Sequence, residues 1–111
     1  MHEMKLFNKP FELIQNGTKT IELRLYDKKR LELKIGDTII FTNRKTGDQI
    51  KTKVINLHIC KNFSELYSMF DKKLFGYAEN ETADPEDMEV YYSEEELEEY
   101  GVVGIEIELI N

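Results

Sequence analysis

Two apolar runs on either side of a short turn constrain this chain more than any other feature. Thr38 to Thr42 (Thr-Ile-Ile-Phe-Thr) reads as a buried strand, Arg44-Lys45-Thr46-Gly47-Asp48 as a hairpin tip, and Gln49 to Cys60 as the returning strand. The return changes phase. Its apolar residues Ile50 and Val54 fall on even positions, whereas Ile55, Leu57 and Ile59 fall on odd ones. Side chains on a strand alternate with period two, so one buried face cannot be kept across that change without an extra residue. A bulge or sharp bend near Lys53–Ile55 is therefore expected, which is how small barrels turn their corners.

The other elements fit around this hairpin. Asn8-Lys9-Pro10 opens a short helix with Asn8 as its cap, Phe11, Leu13 and Ile14 as its buried stripe, and Asn16-Gly17 as its end. Lys28-Lys29-Arg30 marks a surface turn, after which Leu31, Leu33 and Ile35 alternate up to the Gly36-Asp37 turn. Asn62 caps a helix whose stripe is Phe63, Leu66, Tyr67 and Phe70, read as core packing. Tyr77 to Ala83 has no period and reads as a loop. Asp84-Pro85 starts a short helix with Met88, Tyr91 and Tyr92. Ser93 caps the next, with Glu96 at the capping-box position, Leu97 and Tyr100 as buried contacts and Gly101 as the stop. Val103, Ile105, Ile107 and Leu109 then alternate in a closing strand. This order gives an α+β chain: a small mixed β-barrel flanked by short helices, with residues 1–111 forming one domain.

Charge is unevenly spread along the chain. All 15 Lys and Arg lie in residues 1–73, giving that part a net charge of +6; residues 74–111 carry 13 acids and no base. An acidic back opposes generic binding to duplex DNA but leaves a basic side open to phosphate. The acidic helices alternatively serve solubility, or dock a protein partner. Cys60, the single cysteine, reads as a small buried hydrophobe near a strand end. His58 and Cys60 alone cannot fill a tetrahedral zinc site, so His58 reads as structural or edge-exposed, and no metal or cofactor is expected. The start has no signal-peptide pattern and no apolar run reaches membrane-spanning length, so a cytoplasmic location without a membrane partner is expected.

The candidate site is the strand after Gly17. Ile21, Leu23 and Leu25 alternate there with Thr20, Glu22, Arg24 and Tyr26. Glu22 and Arg24 thus share one face, with Lys19 at the mouth of the strand. Charges of both signs on a rigid strand suit a planar polar ligand or an anion; the alternative is a solvated Arg–Glu pair worth little in water.

Gly17-x-Lys19-x-x-Glu22-x-Arg24, followed by Lys34-Ile35-Gly36-Asp37 and an apolar strand, resembles the signature of the ASCH domain family. Tyr92-Ser93, an acidic helix and Tyr100-Gly101-Val102-Val103-Gly104-Ile105 resemble the family's last helix and strand, so the likeness covers nearly the whole chain. The resemblance implies a PUA-like β-barrel and a partner that is RNA or a nucleotide-like ligand, held in a cleft between the signature strand and the late acidic segment. Lys19 and Arg24 would supply positive charge, Glu22 would accept from a base edge, and Tyr26 would stack.

Some members remove an acyl group from modified cytidine, which implies a hydrolase alternative with Lys19 and Glu22 in the site. There the family's nucleophile is a threonine, at the position Glu22 occupies here. A carboxylate can act as a base for water but cannot replace a hydroxyl that is itself acylated. Thr20 offers a hydroxyl nearby but should diverge from Lys19 along the strand. The family's acid corresponds to Glu86, Asp87 or Glu89.

Overall fold

The computed structural model describes residues 1–110. Five strands form one curled sheet: β1 (His2–Leu6), β2 (Ile21–Leu25), β3 (Thr38–Asn43), β4 (Gln49–Cys60) and β5 (Val102–Leu109), in the order β1-β3-β4-β5-β2. β1 runs parallel to β3, and every other pairing is antiparallel. The helices are α1 (Asn8–Gln15), α2 (Lys28–Leu31), α3 (Phe63–Tyr67) and α4 (Glu94–Tyr100), with 3-10 turns over Lys72–Phe75 and Pro85–Val90. The result is a mixed α+β half-barrel with β1 and β2 at its two open edges.

The phase change in β4 is a register shift between Val54 and Asn56 in its pairing with β5. The extra residue at Ile55 lets Val54 stay buried while the strand bends and continues for 12 residues. The caps at Asn62, Asp84 and Ser93 also form, Ser93 and Glu96 making a full capping box.

Three elements differ from expectation. Residue Asn8 lies inside α1, which starts after an extended Phe7 without a side-chain cap; Asn8 bonds Glu12 and Asn43 instead. Leu31, Leu33 and Ile35 form no strand, because Lys28–Leu31 is a helical turn capped by Asp27. Only Leu33 of the three is buried. β1 carries little sequence signal, since only Met4 and Leu6 alternate in it, and it is held by parallel pairing to β3.

Two cores lie on opposite faces of the sheet. One gathers Phe11 and Ile14 of α1 with Ile39, Phe41, Val103 and Ile105; the other gathers Ile21 and Leu23 with Phe63, Leu66, Phe75 and Val102. β5 alternates between them, and Gly104 is where α3 descends onto the sheet. A Cβ there would stand 2.9 Å from Leu66 Cδ1. Cys60 closes β4 as a buried residue, as expected, and burial pushes its thiol pKa up. His58 bonds Glu106 at 2.8 Å and meets the Phe70 ring edge-on, a packing role. Among the described residues, no helix is long and apolar enough to cross a membrane.

Candidate functional site

β2 is an edge strand, and both its faces are covered. Opposite residues on paired strands share a face, and Glu22 lies opposite Ile105, Arg24 opposite Val103. The polar row therefore points into the half-barrel, on the side of the first core. Glu22 is 4 % exposed and Lys19 8 %, so the solvated-pair alternative does not describe this strand.

The side chains interlock. Lys19 Nζ lies 2.9 Å from Glu22 Oε1, which also accepts from the Leu23 backbone N–H at 3.1 Å. Arg24 donates to Glu22 Oε2 through Nε at 3.0 Å and Nη2 at 2.7 Å. Arg24 Nη2 also reaches the Lys5 carbonyl at 3.0 Å, on the far edge of the half-barrel. The cluster thus satisfies backbone groups on the two sheet edges and ties them together. Burial alone would raise the pKa of Glu22, but the adjacent Lys19 and Arg24 charges and their hydrogen bonds outweigh it and hold the carboxyl at about 2. Glu22 likewise raises the Arg24 pKa against the effect of burial.

A carboxylate offers about four acceptor positions. Glu22 has filled them with Lys19, Leu23 and two donors of Arg24. A carboxylate so engaged has no lone pair for a base edge and little basicity for activating water. Its role is to place two cations. Lys19 Nζ has further protons, and Arg24 Nη1 has no partner among the described residues, so both can donate into the space in front of them.

That space is a cleft of about 320 Å³. Its floor is Lys19, Glu22 and Arg24; its lining includes six aromatic rings, of Phe7, Tyr67, Phe75, Tyr77, Tyr91 and Tyr92. Lys5, Lys9 and Arg44 complete five bases against two acids, so the cleft is cationic although the chain is acidic. The Arg44 guanidinium lies over the Phe7 ring, 5.3 Å from its centroid. Gly76, at φ +101°, packs against the Lys19 side chain, so close that a Cβ would stand 3.2 Å from Lys19 Cδ.

Of the residues singled out in the sequence, Lys19, Glu22 and Arg24 meet at the floor, and Lys19 is deep rather than at a rim. Tyr26 lies outside the cleft, packed against the first core. Thr20 is not among the cleft's lining residues; it lines a second pocket with Ile14 and Ile107. None of Glu86, Asp87 and Glu89 is among the lining residues; Asp87 is linked to the cleft through Tyr77, accepting from its hydroxyl at 2.8 Å. From the late acidic segment, Met88 of the Pro85–Val90 turn and the Tyr91 and Tyr92 rings that follow it line the cleft, with Glu81 as the carboxylate; α4 supplies no lining residue. Lys5, Phe7, Arg44 and Tyr77 had no periodic signal. An aromatic in an aperiodic loop, as at Tyr77, was the available clue.

The family model for the ASCH domain matches residues 4–111. The chain belongs to the ASCH family. Among solved structures, this ASCH chain is similar to the hypothetical protein PH0355, at 36 % identity over 98 % of each chain with a TM-score of 0.81. It is also similar to protein PF0455 from Pyrococcus furiosus, at 34 % identity over 100 % of this chain and 99 % of that one, with a TM-score of 0.71. The ASCH domain from Lactobacillus crispatus JV V101 shares 14 % identity over 97 % of this chain and 79 % of that one; its TM-score of 0.62 shows the common PUA-like fold. No curated protein matches the chain.

Proposed function

We propose that residues 1–111 act as one ASCH-type binding unit for RNA, taking a nucleotide of a single strand into the cleft. The carrying observation is the pair of cations, Lys19 and Arg24, held by a saturated Glu22 at the floor of an aromatic-walled cleft. Aromatic faces stack bases whatever their sequence, and the cations receive phosphate or a base's acceptor edge. Lys9, Arg44 and the exposed Phe7 and Tyr91 rings at the mouth offer a further surface to a neighbouring nucleotide. These features favour a strand over a free nucleotide.

The hydrolase alternative, with Lys19 and Glu22 acting on N4-acetylcytidine, finds less support. Glu22 has no free acceptor position and Thr20 lies outside the cleft. The test is binding of single-stranded RNAs of increasing length, against nucleoside monophosphates and duplex DNA, by fluorescence anisotropy and calorimetry. Affinity should rise with RNA length and fall in Arg44→Glu. Binding that ignores Arg44→Glu, or absence of binding to every single strand and monophosphate, would place the ligand site elsewhere.

A further inference from the structure

The cleft's floor presents donors: Lys19 and Arg24 cannot accept, and Glu22 is full. The tyrosine wall has the opposite character, and the reason is a chain of hydroxyls. Tyr67 Oη and Tyr77 Oη are 3.0 Å apart. Tyr77 Oη also lies 2.8 Å from Asp87 Oδ2 and 3.4 Å from the Asp84 carbonyl oxygen. Both of those outer partners can only accept, so the single proton of Tyr77 points toward them. Its oxygen can then only accept from Tyr67, whose own proton is thereby committed. What remains on the Tyr67 oxygen is lone-pair capacity alone.

The geometry around this chain is firm. The Tyr67 ring stacks on Phe75 with centroids 5.0 Å apart and planes inclined by 18°, and the Tyr77 ring meets it edge-on. Burial pushes the phenol pKa of both tyrosines upward, so both carry their protons at neutral pH. Both also line the cleft, together with Phe75.

We propose that Tyr67, set as an acceptor by Tyr77 and Asp87, determines specificity by selecting a nucleobase that brings an exocyclic amino group to it. The proposal rests on reading the cleft as a nucleotide site. An amino group projects beyond the ring edge, whereas a ring N–H between two carbonyls is recessed and brings flanking acceptors that the tyrosine wall cannot satisfy. The same base turns its ring nitrogen, carbonyl or phosphate to the donors at the floor. A site that offers only an acceptor leaves it unpaired when the ligand has no donor, and that loss is what discriminates.

The experiment uses the whole chain and two matched pairs of probes. Cytidine 5′-monophosphate is compared with the 2-pyrimidinone riboside monophosphate, and adenosine 5′-monophosphate with the purine riboside monophosphate; each pair differs by the amino group alone. Calorimetry on the parent should show binding weaker by about tenfold without the amino group in at least one pair. Tyr67→Phe should erase that difference. Tyr77→Phe keeps the Tyr67 hydroxyl but frees its proton, so the difference should narrow there too, which a merely structural hydroxyl would not produce. Equal binding within both pairs in the parent overturns the proposal, as does an undiminished difference in Tyr67→Phe. If all four probes bind equally well, only the acceptor role fails; if none binds, either free or placed within a short single-stranded RNA, the nucleotide reading of the cleft fails with it.

Discussion

Replacing Glu22 by Gln tests whether the buried cluster is held by charge, and its effect should depend on pH in a calculable way. Gln keeps the shape and one acceptor oxygen but leaves Lys19 and Arg24 without a counter-charge in a site where Glu22 is 4 % exposed. The folded-state pKa of Glu22 is lowered from 4.5 to about 2. A lowered carboxyl pKa contributes stability that is complete above the unfolded value and is lost as pH falls through the folded one. The shift corresponds to about 3 kcal/mol at neutral pH, falling to ~1 kcal/mol near pH 3 and to little near pH 2. Urea denaturation of the parent and Glu22→Gln at several pH values measures the gap directly. The two should differ most at neutral pH and converge in acid, where the parent's own carboxyl is protonated. A gap below about 1 kcal/mol at neutral pH, or one that persists unchanged in acid, would refute the charge-clamp reasoning.

Removing either cation should be costly as well. Lys19→Ala and Arg24→Ala each leave Glu22 under-compensated, and thermal and chemical melts should show losses of about 3 kcal/mol or more, with ligand binding falling alongside. Gly76→Ala should cost more than about 1 kcal/mol in the same melts, because its φ of +101° disfavours a side chain and the added Cβ presses on Lys19 and Leu13. Salt dependence of RNA binding should map to the cleft mouth: Lys9→Glu and Arg44→Glu should flatten the slope of log Kd against log salt, while Lys28→Glu, outside the cleft lining, should change it less. Incubation with N4-acetylcytidine, followed by chromatography, should show no efficient deacylation; rapid turnover would mean that another group supplies the nucleophile.

Local chemistry made much of the fold readable in advance. The bend in β4 followed from a phase change that a period-two strand cannot absorb, and it lies at Val54–Asn56. The caps at Asn62 and Ser93 were readable because capping uses side chains within a few residues of one another. Alternation likewise separated Glu22 and Arg24 from Ile21 and Leu23, and the spacing Gly17-x-Lys19-x-x-Glu22-x-Arg24 carried the family. What alternation cannot say is which face meets water. Both faces of β2 are covered, one by α3 and the Lys72–Phe75 turn, the other by the half-barrel itself, so a polar row that reads as solvated is buried. The cleft depended still more on tertiary structure. Its rim comes from β1, the β3–β4 hairpin and the Tyr77 loop, whose residues lie far apart in sequence. They converge because the curled sheet brings its two edges near each other, where Arg24 reaches the Lys5 carbonyl. No local period encodes that meeting; it is a consequence of how the strands pair and how far the sheet curls.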